Sequence, residues 1–167
     1  RLAPVSPTTI LGIGLNYRKH AEEGGKGVPS RPMWFMKTVS AVQHPGEPIV
    51  LPTVCASHKV DYEGELAVVI GQPAKRVKKA DALQYVAGYT VANDYAIRDY
   101  LENWYRPNLK VKNRDTCTPI GPWLVDAADV ADPMNLALKT TVNGKVTQQG
   151  STKDMIFDVP TLIEYFS

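Results

Sequence analysis

The chain has 167 residues, of which 44% are hydrophobic and 22% charged, with 19 basic side chains against 17 acidic ones. That apolar fraction excludes an intrinsically disordered chain, and the length suits one domain that buries about two-thirds of its unfolded surface without a disulfide or structural metal. A net charge of +2 excludes the strong basic excess of a nucleic-acid binder, and the longest apolar run, Leu66 to Ile70, is far short of the roughly 20 residues that span a bilayer. No nucleic-acid partner and no membrane partner is therefore expected. The N-terminal stretch lacks a charged region followed by an apolar core, so no signal peptide is expected.

Thr9 to Leu15 reads as a buried β-branched strand, and the Gly/Pro-rich stretch from Gly24 to Pro32 as a loop of the kind that can act as a lid. Met33 to Met36 reads as a second strand and Ile49 to Leu51 as a short third one. The clearest strand is Tyr62 to Ile70, where period-2 alternation sets Glu63, Glu65, Ala67 and Val69 on one face. Its C-terminal half is apolar on both faces, which predicts burial on both sides. Arg76 to Lys79 reads as a solvated turn.

Lys79 to Ala87 fits a helix with Ala80, Leu83, Val86 and Ala87 on one stripe and Gly88 as its stop. Tyr89 to Ala92 and Ile120 to Val125 read as strands, the latter broken by Gly121-Pro122. Leu136 to Gln149 is a hairpin, because Asn143-Gly144 between alternating residues signals a type I′ turn. Asp158 caps a last helix whose Val159, Leu162, Ile163 and Phe166 share one face. Cys55 and Cys117, with no zinc spacing near them, read as reduced thiols of a cytosolic protein. His44 and His58 read as surface residues, and Trp34, Trp104 and Trp123 as core or rim. No glycine-rich phosphate loop, dinucleotide fingerprint or nucleophile elbow is present.

Glu63 and Glu65, two apart on a strand, point the same way with Cβ atoms roughly 7 Å apart. Two carboxylates entering a buried strand repel and lose solvation, so either one protonates or a cation sits between them. The alternative is that they mark the exposed mouth of the strand. The next strand ends in Asn93-Asp94, and if it lies beside the first, three carboxylates converge. An all-oxygen set suits a hard cation, Mg²⁺ or else Mn²⁺.

The runs DYEGELAVVIG at 61–71 and GYTVANDYAIRD at 88–99 resemble the fumarylacetoacetate hydrolase superfamily. So do GIGLNY at 12–17, TPIGPW at 118–123 and VNG at 142–144 with Gln149, in the order expected and over nearly the whole chain. The resemblance implies an α+β, mainly β fold: a mixed β-sandwich roll with peripheral helices, usually dimeric, so a homodimer or higher homo-oligomer is expected. It implies Mg²⁺ held by Glu63, Glu65 and Asp94, and a small-molecule 2-oxo acid substrate. His20 and Glu23 match the family's His–Glu pair, Lys112 its active-site lysine in preference to Lys110, and Arg98 a substrate-contacting arginine. For Arg98 an ion pair with a nearby acid is the competing reading. Tyr105 and Arg106 are candidates for a distal substrate carboxylate.

The stretch at 93–115 is most similar to members that decarboxylate or isomerise unsaturated 2-oxo dicarboxylates in aromatic catabolism. The expected function is therefore metal-dependent decarboxylation, enol–keto isomerisation, or both, in the cytoplasm. The alternatives are an acylpyruvate C–C hydrolase or oxaloacetate decarboxylase of the same family, or a non-catalytic metal-binding half of a larger protein. Residues 1–167 read as a single catalytic domain. Family members continue past the last helix to a Gly-Thr-Pro motif not found here, so that domain is expected to lack its C-terminal part.

Overall fold

The computed structural model of the chain describes residues 1–25, 27–51, 53, 57–101 and 109–167. In chain order the strands are β1 (Ile10–Gly14), β2 (Met33–Lys37), β3 (Val42–Gln43), β4 (Val60–Asp61), β5 (Gly64–Ile70), β6 (Val86–Asn93), β7 (Ala96–Ile97), β8 (Thr118–Pro119), β9 (Val125–Asp126), β10 (Ala137–Val142) and β11 (Lys145–Ser151). Among the described residues the α-helices are short: α1 (Arg18–Glu23), α2 (Leu109–Lys112) and α3 (Val159–Phe166). The fold is α+β and mainly strand. Its sheets are open, pairing β1 with β2, β3 with β8, β4 with β7 and β10 with β11, beside a three-stranded sheet ordered β5-β6-β9. No helix among the described residues is long and apolar enough to cross a membrane.

The chain divides into two compact units. The first comprises Arg1–Gly12, Trp34–Glu65 and Thr90–Leu124, and the second Ile13–Met33, Leu66–Tyr89 and Val125–Ser167. The core of the first gathers Ala41, Tyr95, Ile97 and Cys117, with Ile49, Val60 and Tyr100 packed on it. Here β3 runs parallel to β8, pairing Val42 with Thr118, and β4 runs antiparallel to β7, pairing Val60 with Ile97. Cys117 is a free, buried thiol, whereas Cys55 lies outside the described residues.

The core of the second unit gathers Val77, Ala82, Val86, Tyr89, Val159 and Ile163. Asp158 caps α3 by accepting from the Thr161 amide, and Val159 and Ile163 are its buried face, as the periodicity predicts. The β10–β11 hairpin turns through Asn143 and Gly144, both at positive φ (49° and 78°), the backbone a type I′ turn requires.

Four expectations are corrected. Lys79–Tyr85 is a 3₁₀ helix, and Val86 already belongs to β6: no side chain caps it at Lys78, and the sheet claims the β-branched end of the stripe. Ile49–Leu51 forms no strand, since the Val50 amide donates to the Thr116 hydroxyl (2.8 Å) rather than to a strand partner. Of the stretch 120–125 only Val125 lies in a strand, β9, while Ile120 makes an isolated bridge to Ala92. The break falls at Gly121-Pro122 as expected, because Pro122 has no amide hydrogen to continue the ladder and Gly121 sits at φ +129°. The strand at 64–70 is half-buried and Ile70 is exposed, because Leu66 and Val68 alone pack against the core. Trp34 and Trp123 are also exposed, at 51% and 64%, and the Arg1 guanidinium lies over the Trp123 ring. Trp104 lies outside the described residues.

Candidate functional site

Glu63, Glu65 and Asp94 all belong to the first unit and are set by the ends of β5 and β6. The Asp94 amide donates to the Glu63 carbonyl (2.8 Å), and the Glu63 amide donates to Asn93 Oδ1 (3.0 Å). These two bonds fix the backbone of one acidic residue against that of another, which the sequence reading reached only as a condition.

The carboxylates are met by cations from three other elements. Lys112 ends α2 and is 5% exposed, although its neighbour Lys110 on the same turn is exposed. Its Nζ lies 2.6 Å from Glu63 Oε2 and 2.8 Å from Asp94 Oδ2, and it donates to the Asp94 carbonyl at 3.0 Å. Lys37, the last residue of β2, is 3% exposed and reaches Asp94 Oδ1 at 2.5 Å. Arg98 follows β7 and divides its guanidinium, Nε to Asp61 Oδ2 (2.8 Å) and Nη2 to Glu63 Oε1 (2.5 Å). The ion-pair reading of Arg98 is therefore the one its geometry supports.

Local bonds hold both lysines in register. The Lys112 carbonyl accepts from Lys37 Nζ (2.8 Å) and from the Cys117 thiol (3.0 Å). Asn113 ties the end of α2 to β2, accepting from the Thr38 amide (2.6 Å) and donating to the Met36 carbonyl (3.0 Å). Phe35, on the same face of β2 as Lys37, lays its ring 5.6 Å from Lys112 Nζ. That ring has room because residue 12 is glycine, where a Cβ would stand 2.3 Å from the Phe35 ring.

Glu65 differs from its two neighbours. Burial pushes its carboxyl up to about 7, the charges of Glu63 and Asp94 push the same way, and Lys112 opposes them. A carboxyl raised in this way binds its proton more tightly than a free one, and an incoming cation would compete with that proton for the same oxygens. The donor chemistry thus fits a hard divalent ion: all oxygen, with one carboxyl short of positive charge. As the side chains stand, however, no three His, Cys, Asp or Glu groups among the described residues form a set that could hold a metal. Glu63 and Asp94 turn oxygens to Lys112 instead.

His20 and Glu23 lie in the second unit, both exposed on α1, three apart on a helix as the spacing predicts. No hydrogen bond or ion pair among the described residues joins the two side chains. Tyr105 and Arg106 lie outside the described residues. Lys37 was missed by the sequence reading, which ends the strand at Met36. Its signal was the period-2 step from Phe35 that places a lysine on a buried face.

The family model "Fumarylacetoacetate (FAA) hydrolase C-terminal" matches residues 9–167. The chain is 52% identical over 165 residues to a 4-hydroxyphenylacetate degradation bifunctional isomerase/decarboxylase of Salmonella dublin, covering 98% of this chain and 38% of that protein. Among solved structures it resembles a 5-carboxymethyl-2-hydroxymuconate delta-isomerase of Mycobacterium smegmatis, with a TM-score of 0.87 and 39% identity, covering 99% of this chain and 64% of that one. It also resembles a maleylpyruvate hydrolase of Sphingobium sp. SYK-6 in complex with manganese(II) and pyruvate, with a TM-score of 0.80 and 32% identity, over 98% of this chain and 55% of that one. The chain therefore spans less than two-thirds of the length of each of these relatives.

Proposed function

The chain belongs to the fumarylacetoacetate hydrolase family, and from that premise we propose that it serves a metal-dependent decarboxylase and isomerase of 2-oxo acids. The substrate class proposed is a 2-hydroxy-dienoate or 2-oxo dicarboxylate or tricarboxylate from the breakdown of aromatic compounds. The relative from Salmonella dublin supports this choice, as an isomerase/decarboxylase of 4-hydroxyphenylacetate degradation. The reaction would then be that of a 2-hydroxyhepta-2,4-diene-1,7-dioate isomerase and 5-oxopent-3-ene-1,2,5-tricarboxylate decarboxylase.

The observation that carries the reading is the gathering of Glu63, Glu65 and Asp94 with two buried lysines in one unit. Glu63, Glu65 and Asp94 would hold Mg²⁺, or Mn²⁺, which when bound supplies a Lewis acid for the oxygens of a 2-oxo acid. Lys112 and Lys37 add positive charge in a site of low dielectric, where negative charge developing as CO₂ or a C–H proton departs is stabilised. Arg98 pairs with Glu63 and Asp61, which supports a role in orienting those carboxylates beside the substrate contact proposed for it. His20, on α1 with Glu23 three residues further on, is proposed to move the proton. A cytoplasmic homodimer belongs to the same proposal.

Ultraviolet decay of the dienol substrate, followed with and without Mg²⁺, tests the reading. Decay that requires Mg²⁺ and is lost in Glu65→Ala is expected, whereas equal rates in both chains or no metal dependence would overturn it. The second reading is C–C hydrolysis of an acylpyruvate, favoured by the likeness to the maleylpyruvate hydrolase. It would show as pyruvate release from an acylpyruvate instead.

A further inference from the structure

Two of the three candidate ligands already hold a cation that the chain itself supplies. The Lys112 ammonium touches Glu63 Oε2 at 2.6 Å, Asp94 Oδ2 at 2.8 Å and the Asp94 carbonyl at 3.0 Å. An ammonium has three N–H donors, and here three oxygens surround it. It joins carboxylates from the ends of two different strands, as a divalent ion bound to the same oxygens would. Lys37 is placed differently: it takes the other oxygen of Asp94, Oδ1, together with a main-chain carbonyl. Asp94 Oδ2 could therefore turn to an ion while Lys37 stays where it is.

We propose that Lys112 is a resident counter-ion that a divalent metal must displace from Glu63 and Asp94, so that metal entry and release of this ammonium are a single exchange. The inference rests on the metal reading above. The electrostatics favour it. Two cations cannot both sit within ion-pair distance of the same two carboxylate oxygens without strong repulsion in a site shielded from water. Metal-free, the ammonium satisfies two carboxylates that burial would otherwise leave costly. Once displaced, it is available to an anionic group of the substrate, so substrate affinity would depend on the metal partly through Lys112.

The test is Mn²⁺ binding by the full chain, read by electron paramagnetic resonance, for the unmodified protein, Lys112→Met and Glu65→Gln. Lys112→Met is expected to bind Mn²⁺ about tenfold more tightly or better, having lost the competing charge. Glu65→Gln is expected to bind more weakly. Equal or weaker binding by Lys112→Met, with Glu65→Gln still impaired, overturns the exchange and leaves the metal reading standing. No binding by any of the three, or binding that ignores Glu65, overturns the metal reading and the exchange together. Should Lys112→Met fail to fold, reductive methylation of the unmodified protein decides: Mg²⁺ is expected to raise labelling of Lys112 relative to Lys37. Unchanged or reduced labelling of Lys112 overturns the exchange.

Discussion

Lys37 Nζ stands 2.5 Å from Oδ1 of Asp94, with the lysine side chain 3% exposed and the aspartate side chain 14%. A charge so enclosed is tolerable only while paired, and removing one partner leaves the other uncompensated. Lys37→Met is therefore expected to cost about 3 kcal/mol of folding stability, the low end of the buried-pair range, because Asp94 keeps Lys112. Urea unfolding followed by tryptophan fluorescence measures it. In Lys37→Met with Asp94→Asn the loss should be smaller than the sum of the two single losses, since the stranded charge is gone. Additive losses would show that the two side chains are not coupled.

Gly12 governs the same neighbourhood from a different strand. A Cβ there would lie 2.3 Å from Phe35 Cζ and 2.5 Å from Cε2, distances no packed side chain tolerates, and the Phe35 ring is 6% exposed with little room to retreat. Gly12→Ala is expected to destabilise the fold by about 1–3 kcal/mol through overpacking. A smaller residue at Phe35, such as Phe35→Leu, should recover part of the loss in the double variant. Stability within ~0.5 kcal/mol of the unmodified chain would mean that β1 can shift to accept the methyl group.

The hairpin turn isolates backbone strain from packing. Gly144 lies at φ +78°, and a Cβ added there would meet nothing within 4 Å. Gly144→Ala therefore pays only for a left-handed conformation, about 1–2 kcal/mol. In a chain of this size that corresponds to a melting temperature lower by roughly 2–8 °C. No change in melting temperature would show that the turn can adopt another type.

What could be read from the sequence was what is decided locally. The Asn143-Gly144 turn, the Asp158 cap and the apolar face of α3 depend on residues within one turn or hairpin of each other, and each forms where its pattern placed it. The Glu63–Glu65 spacing likewise identified an acidic strand end, since alternation is a local property. What could not be read was settled by distant partners. The 3₁₀ segment at Lys79–Tyr85 gives up Val86 to a sheet, and Ile49–Leu51 lost its strand to a hydroxyl 66 residues away. Lys37 was hidden for a related reason. A charge at the end of an apolar strand reads as the strand's exposed end, and only Asp94, 57 residues on, makes its burial tolerable.

Asp158 gives a prediction for pH. Its Oδ1 accepts from the Thr161 amide (2.8 Å), and its Oδ2 lies 2.8 Å from Lys79 Nζ. Burial pushes the carboxyl up, but the hydrogen bonds from Lys79 and Thr161 and the charge of Lys79 outweigh it, leaving the group below its ordinary value of 3.8. A carboxyl depressed in the folded state contributes stability that is complete above 3.8 and is lost as pH falls through the folded value. Because Lys79 is half exposed, the ion pair itself is worth little, and most of the roughly 1 kcal/mol at stake lies in the helix cap. Asp158→Asn keeps an N-cap acceptor and removes only the charge, so its deficit should be a fraction of that, constant from pH 7 to pH 5. Asp158→Ala should show the full cap loss over the same range. Denaturant unfolding of both variants across pH 3 to 7 distinguishes the contributions: the Asn deficit should close below pH 4, while the Ala deficit shrinks but persists. An Asn deficit that widens toward acid would mean that Lys79 and Thr161 do not hold the carboxylate charged.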